Sequence, residues 1–474
     1  MSNVRLDPPR TASRLSLAVA CGAAFVTFLD FSVVNIAFPT IAADYAPTTT
    51  STLTWVVSGY AIAFAAFLTP AGRFADAIGR RVTFIAALAV FAAASLLCAL
   101  APSIVWLIVG RIAQGVAAAL MIPAGLGLLL SLTAPTRVSR AIAAWTATGG
   151  FAAAVGPAIG GALVDGFSWR AAFFLNIPVC LVLVGLALLV PSEGRPSSKG
   201  LPDGLGTFAT AAAIGLLTAA VTEGQTWSWD SLPTIACAVI GVALLAIALF
   251  RSFHHPRPAI AVGLWRNRTY AITNATSFVF GTAMFAWLLA GPLWLTQVWH
   301  YSILEAAGAM TIGAVVTMLT AAFAGRIPLQ HQRTAAIAGA LMFAACVVFM
   351  STQLWGVVPR FWAAWIPSAL LGGAGIGFAL TAIGATAARS LSPTQFASGV
   401  GMTLTARQSG GALGVAILAA VFSAGLETLN AFHLVFIISA LFTMLAALTA
   451  AATPPISDPL TGRQRALAPQ RGTR

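Results

Sequence analysis

Along this chain, apolar residues come in long blocks separated by short clusters of charged residues, proline and glycine. Fourteen blocks stand out, near residues 15–41, 52–71, 82–101, 104–133, 140–164, 171–190, 205–222, 232–250, 270–298, 304–324, 334–351, 360–388, 396–424 and 431–452. A helix that crosses the hydrocarbon core needs roughly 20 mostly apolar residues, and each block meets or approaches that length. The pattern predicts an all-α membrane protein with fourteen transmembrane helices. No intervening segment is long enough for a soluble domain. The first block exceeds a signal-peptide core and lacks an Ala-x-Ala exit, so it is expected to remain as the first span.

Composition agrees. The chain is 59% hydrophobic and 8% charged, against roughly 25% charged in a soluble domain. A net charge of +13 would point to nucleic acid in a soluble protein; here its placement says otherwise. With the N-terminus in the cytoplasm, 21 of the 25 Lys and Arg residues fall in the inner segments. Only Arg170 and Arg360 fall outside, and Arg111 and Arg407 lie within spans. One helix more or fewer would destroy this alternation, so both termini are expected in the cytoplasm. The link 191–200 is rich in Pro, Ser and Gly and reads as a flexible connector. The basic tail after Ala452 is expected to be disordered.

A weak internal repeat is visible. Ala71-Gly72-Arg73 after span two is echoed by Ala324-Gly325-Arg326 after span ten, 253 positions later. Gly156-Pro157-Ala158-Ile159-Gly160-Gly161 in span five has a looser echo in Gly410-Gly411-Ala412-Leu413-Gly414 of span thirteen. The organisation expected is a six-helix bundle (1–190), a linker with two extra helices (191–269), a second six-helix bundle (270–452) and a tail (453–474). Repeated halves around a midplane site are a transporter architecture.

The candidate chemistry is a short set of polar residues in apolar surroundings. Asp30 lies inside the first span, where a carboxylate costs about 3 kcal/mol on insertion scales. It suits a proton switch, and the alternative is a structural hydrogen bond to backbone or to Asn35. Arg111 in span four must face a polar interior, with Gln114 one turn away. Arg407 in span thirteen suits either an anionic substrate or bracing of helix packing. Gly156, Gly160 and Gly161 permit close helix approach, Pro157 bends its helix, and together they suit an interface between the bundles. Gly72-Arg73-Phe74-Ala75-Asp76-Ala77-Ile78-Gly79-Arg80-Arg81 reads as a tight inner loop between spans two and three, able to latch helix ends. Possible pocket-lining residues include Tyr60, Asn274, Trp294 and Gln297. Glu223, Glu305 and Glu427 fall near outer helix ends, where water is expected to reach them.

These residues carry a family resemblance. The Gly72–Arg81 stretch resembles the signature of the major facilitator superfamily, and Asp30-Phe31-Ser32-Val33-Val34-Asn35-Ile36-Ala37-Phe38-Pro39 resembles the first-helix motif of its fourteen-helix drug:proton antiporters. Ile108 to Gly115, Gly150 with Val155 to Gly161, Trp169 to Pro178 and Arg407 to Gly411 are similar to further motifs of that subfamily, in order and at the matching spans. The resemblance implies export of small amphipathic, often cationic compounds in exchange for protons. Asp30 and Arg111 would then couple the proton. Gly72, Asp76, Gly79, Arg80, Gly156, Pro157, Gly160 and Gly161 would govern the conformational change. Asp30, Asn35, Tyr60, Gln114, Asn274, Trp294, Gln297 and Arg407 would contact substrate. An exporter of an endogenous metabolite or a self-made antibiotic is the other transport reading.

Other classes find little support. There is no phosphate-cradling Gly-rich loop with Lys-Ser/Thr, no zinc motif and no nucleophile elbow. The five cysteines stand singly in different spans, without disulfide or metal spacing. No cofactor, metal or nucleic acid is expected; the expected partners are protons, a small-molecule substrate and the lipid bilayer, and the expected state is a monomer.

Overall fold

The computed structural model describes residues 10–191, 200–352, 354–424 and 426–454. Most of the 191–200 link and of the tail lies outside the described residues. The described chain is helical throughout, with no strand. Its helices are α1 (Arg10–Asp44), α2 (Thr50–Ile78), α3 (Arg80–Ala99), α4 (Ile104–Ser131), α5 (Val138–Gly166), α6 (Trp169–Leu189), α7 (Gly204–Trp227), α8 (Leu232–His254), α9 (Arg268–Gln297), α10 (Ile303–Ala324), α11 (Gln332–Met350), α12 (Ile366–Arg389), α13 (Phe396–Ser423) and α14 (Thr428–Ala451). Fourteen segments among the described residues are long and apolar enough to cross a membrane.

Polar caps and breakers set the ends. Thr49, Ser168, Ser231 and Asn267 cap α2, α6, α8 and α9 through their side-chain oxygens, satisfying N–H groups that have no helical acceptor. Ser302 and Glu305 form a capping box at α10. One expectation needs correcting. The stretch Gly72–Arg81 is not a loop: α2 continues to Ile78, Gly79 alone breaks it, and α3 starts at Arg80. Nothing between Gly72 and Ile78 stops a helix, and Asp76 and Arg80, four apart, form an ion pair at 2.8 Å across the break. Gly79 has φ +119°, a backbone region that L side chains rarely adopt.

The first six helices pack chiefly on one another, as do the last six. Helix α8 packs on α7, and α7 leans on α2 and α13. The two groups of six meet through α2 and α4 against α13, and through α5 against α10 and α12. In the last six helices, α9 and α13 touch backbone to backbone. A Cβ on Gly410 or Gly414 would overlap the carbonyl oxygens of Phe278 or Thr282, and one on Gly281 that of Arg407. Close approach through small residues is how helices associate where lipid removes the hydrophobic drive. Gly414→Val is therefore expected to destabilise the protein by about 1–3 kcal/mol, the range for forced overpacking. A lowered thermal midpoint in detergent would show it; an unchanged midpoint would mean that the helices do not pack this closely.

Candidate functional site

The polar residues of the first six helices converge on one buried network. Asp30 on α1 is 2% exposed and Arg111 on α4 is 0% exposed. Arg111 Nη1 lies 2.6 Å from Asp30 Oδ2. The same nitrogen donates to Gln114 Oε1 at 2.8 Å, and Arg111 Nε donates to the Val56 carbonyl of α2 at 2.9 Å. The other carboxylate oxygen, Asp30 Oδ1, accepts from Asn176 Nδ2 of α6 at 2.7 Å and from Gln114 Nε2 at 3.3 Å. Ser95 Oγ on α3 accepts from Gln114 Nε2 at 2.8 Å. The guanidinium carbon stands 4.4 Å from the Tyr60 ring centroid and 5.8 Å from that of Phe173, adding cation–π attraction in a dry setting.

Five helices thus contribute to one charge pair. A buried pair survives only when its remaining lone pairs and protons are also bonded, and here nearly all are. Two atoms stand apart: Arg111 Nη2 and Tyr60 Oη are buried without a protein partner. Adding a proton to Asp30 would remove the counter-charge and leave Arg111 on the Val56 carbonyl, Gln114 and two aromatic rings. Asn176 and Ser95 were not singled out from the sequence. A polar residue in the middle of span six was the available signal for Asn176; nothing distinguishes Ser95 from other hydroxyls in spans.

A second polar cluster joins the two groups of helices at the ends that carry the chain termini. Asp76 accepts from the backbone N–H of Ser398 at 2.8 Å and of Ala397 at 3.3 Å, and from the Ser398 hydroxyl. It thereby caps the start of α13 from across the interface. Arg80 donates to Asp76 Oδ1 at 2.9 Å, and also to the Gly127 and Pro393 carbonyls. A Cβ on Gly72 would overlap the Ala397 carbonyl oxygen. So Gly72, Asp76 and Arg80 meet the start of α13 together, with Ser398 as a partner that sequence reading did not name, while Gly79 supplies the break that lets α3 begin at Arg80.

The other candidates are scattered. Asn35 is exposed on α1, one turn beyond Phe31, whose ring lies 6.3 Å from that of Tyr60. Asn274 is buried on α9 and donates to the Tyr270 carbonyl of its own helix at 2.9 Å. Trp294 is fully buried among the rings of Trp299, Trp355, Phe432 and Phe436, whereas Gln297 is exposed at the end of α9. Arg407 is partly exposed on α13, with Nε buried and without a partner.

Two placements correct the sequence reading. Gly156 and Gly160 do not face the junction between the two groups: their Cβ positions would meet Ser32 on one hand and Val33 and Ile36 on the other, all on α1 within the first six helices. Gly150 turns instead towards Ala314 of α10, because a six-residue step along a helix changes the face presented. Gly161 meets nothing within 4 Å, and Pro157 lies inside α5. Glu223 is 1% exposed, not solvated, and neither carboxylate oxygen has a hydrogen-bond partner. It is buried although its helix, α7, ends four residues later. At the start of α7, outside the membrane segment, hydrogen bonds from Arg251 hold the Asp203 carboxyl below the usual carboxylate range.

Residues 20–415 match the sequence pattern of the Major Facilitator Superfamily. The chain belongs to that superfamily. It is 29% identical over 425 residues to the probable actinorhodin transporter of Streptomyces coelicolor, covering 88% of this chain and 73% of the relative. It is 30% identical to the puromycin resistance protein pur8 of Streptomyces alboniger, covering 85% and 80%. With the multidrug resistance protein Stp of Mycobacterium tuberculosis it shares 29% identity, over 86% and 76%. Its fold is similar to the crystal structure of the human organic anion transporter MFSD10 (TETRAN), with a TM-score of 0.70 at 14% identity, covering 93% of this chain and 100% of that one. As a member of this superfamily the protein is a multi-pass membrane transporter of small molecules and not an enzyme. The motif resemblance read from Asp30, Gly72–Arg81 and Arg111 thus led to the right family.

Proposed function

We propose that this transporter exports small amphipathic, drug-like compounds of cationic character across the cytoplasmic membrane in exchange for protons, working as a monomer with both termini in the cytoplasm. The observation that carries the reading is the buried Asp30–Arg111 pair, with Gln114 and Asn176 completing the carboxylate. A cationic cargo near α1 favours ionised Asp30, and a proton on Asp30 disfavours the cargo. By linkage each ligand lowers the other's affinity by the same factor. The two six-helix units would rock about the cargo site, with Gly72, Asp76 and Arg80 closing the cytoplasmic side. Phe31 and Asn35, exposed on α1, would meet the cargo from the first unit, and Arg407 from the second. The names of the relatives, which include multidrug and antibiotic resistance proteins, support this cargo class. A tetracenomycin C resistance and export protein among them supports the narrower alternative, export of an endogenous metabolite or self-made antibiotic.

The test is transport by the purified protein in proteoliposomes with an imposed pH gradient, using a fluorescent cationic dye. Dye movement is expected to follow the gradient and to collapse with a protonophore. Flux that ignores the gradient would overturn proton coupling while leaving transport itself in place.

A further inference from the structure

The repeated Ala-Gly-Arg tripeptide occupies corresponding places at two junctions, and the two are finished differently. At the α2–α13 junction, Gly72 rests on the backbone of Ala397 and Ser398. There Arg73 Nε donates to the Pro258 carbonyl at 3.0 Å, an acceptor supplied by the chain that follows α8. At the α5–α10 junction, Gly325 rests on α5 in the same way: its Cβ would overlap Ala143 and lie 3.2 Å from Arg140 Cα. Here no described segment of chain supplies an acceptor; α7 packs at the opposite junction, against α2 and α13. Arg326 and Arg140 are both exposed. Among the described residues neither side chain makes an ion pair or hydrogen bond, and the carboxylates described at this end, Asp76 and Asp203, are engaged elsewhere. The two arginines open onto one cleft of about 520 Å³, whose remaining walls are Ala143, Ala144 and Ala322.

Two guanidinium groups over a wall of methyl groups match a ligand with anionic oxygens at one end and hydrocarbon at the other. The cleft lies at the ends of membrane-spanning helices, the level at which basic pockets meet lipid headgroups. Arginine binds such oxygens in paired, charge-assisted hydrogen bonds. We propose that this cleft binds the phosphodiester headgroup of an anionic membrane lipid, which gives Arg326 and Arg140 the acceptor that Pro258 gives Arg73. The leaflet rests on the cytoplasmic placement of the termini proposed above. Because Arg140 belongs to α5 and Arg326 follows α10, a lipid held by both bridges the two units where Gly325 touches Ala143. It stabilises the closed state of that end and is released when the end opens.

The test reads lipid retention directly and needs no transport. The purified full chain is mixed in detergent with phosphatidylglycerol, phosphatidylcholine or inorganic phosphate and examined by native mass spectrometry. The wild type is expected to retain phosphatidylglycerol in preference to phosphatidylcholine. Arg140→Gln with Arg326→Gln should reduce retention roughly tenfold or more, given about 1 kcal/mol per arginine at an anionic headgroup. Lysine at both positions should keep most of it. Ala144→Phe, which fills the apolar wall and leaves both charges, should also reduce it, so that loss does not depend on one variant's folding. Retention unchanged in these variants, equal retention of phosphatidylcholine, or displacement of the lipid by millimolar phosphate would overturn the assignment, the last by showing a site for free phosphate.

Discussion

Replacing Asp30 by Asn is expected to abolish gradient-driven transport while leaving a folded protein that still binds cargo. Asparagine has the size of the neutral acid, so the variant imitates the protonated state permanently. Arg111 then keeps the Val56 carbonyl, Gln114 Oε1 and the Tyr60 and Phe173 rings but has lost its counter-charge. In the wild type, cargo affinity should fall as the proton concentration rises. In Asp30→Asn that dependence should vanish, and concentrative transport should drop by a factor on the order of 100, the upper range of measured coupling between sites. Arg111→Ala should be the harsher change for folding: breaking one side of a buried pair costs about 3–5 kcal/mol, and the stranded Asp30 keeps only the Asn176 and Gln114 amides, whereas Arg111 left by Asp30→Asn keeps a carbonyl, an amide and two rings. Combining Asp30→Asn with Arg111→Gln should recover part of that stability, since no unpaired charge remains, yet recover no coupling. Cargo binding that stays pH-dependent in Asp30→Asn would place the proton on another group, and the buried, unpartnered Glu223 would be the first to test.

Which features were readable from the sequence follows from how strongly each is priced by the bilayer. A charge inside a span is expensive wherever it points, so Asp30 and Arg111 stood out without knowledge of their neighbours. The spans were legible for the same reason, and their ends agree with the structure to within a few residues except where a polar stretch stays helical. The extension of α2 to Ile78 is such a case: Arg73, Asp76 and Ala77 are compatible with helix, and a charged sequence alone does not end one. Directions of helix faces were less legible. Gly156 and Gly160 would give the same small-residue spacing whether they met α1 or α10, and only rotation about the axis of α5 decides between them. Hydroxyls and amides such as Ser95 and Asn176 cost little in a span because they can bond their own backbone, so their recruitment to Asp30 is visible only once α3 and α6 are in place. Glu223 was misjudged because closeness to a helix end does not by itself expose a side chain to water.

The latch at the end that carries the chain termini gives the second large effect, and its sign follows from helix-end electrostatics. The first N–H groups of α13 have no acceptor within the helix, and they carry the positive end of its dipole. Asp76, which is 6% exposed, supplies a charged acceptor to two of them and to the Ser398 hydroxyl from the other unit. These bonds exist only while the two units are closed at this end. Hydrogen bonds to a charged group contribute about 1.5–3 kcal/mol each, net of the water contacts regained on opening. Asp76→Ala should therefore shift the closed-to-open equilibrium towards open by at least one order of magnitude. Ser398→Ala, which removes one hydroxyl and leaves both backbone donors, should shift it several-fold at most. The reporter is Ala397, which is 0% exposed beneath Gly72 and Gly127 in the closed state. In a background lacking the native cysteines, an Ala397→Cys probe should react slowly with a membrane-impermeant thiol reagent, and much faster once Asp76→Ala is added. Transport should fall with it, because a cycle that cannot hold one end shut lets cargo return down its gradient. Equal protection of the probe with and without Asp76 would mean that the Gly72–Ala397 backbone contact alone holds the units together, and that the carboxylate merely ends a helix.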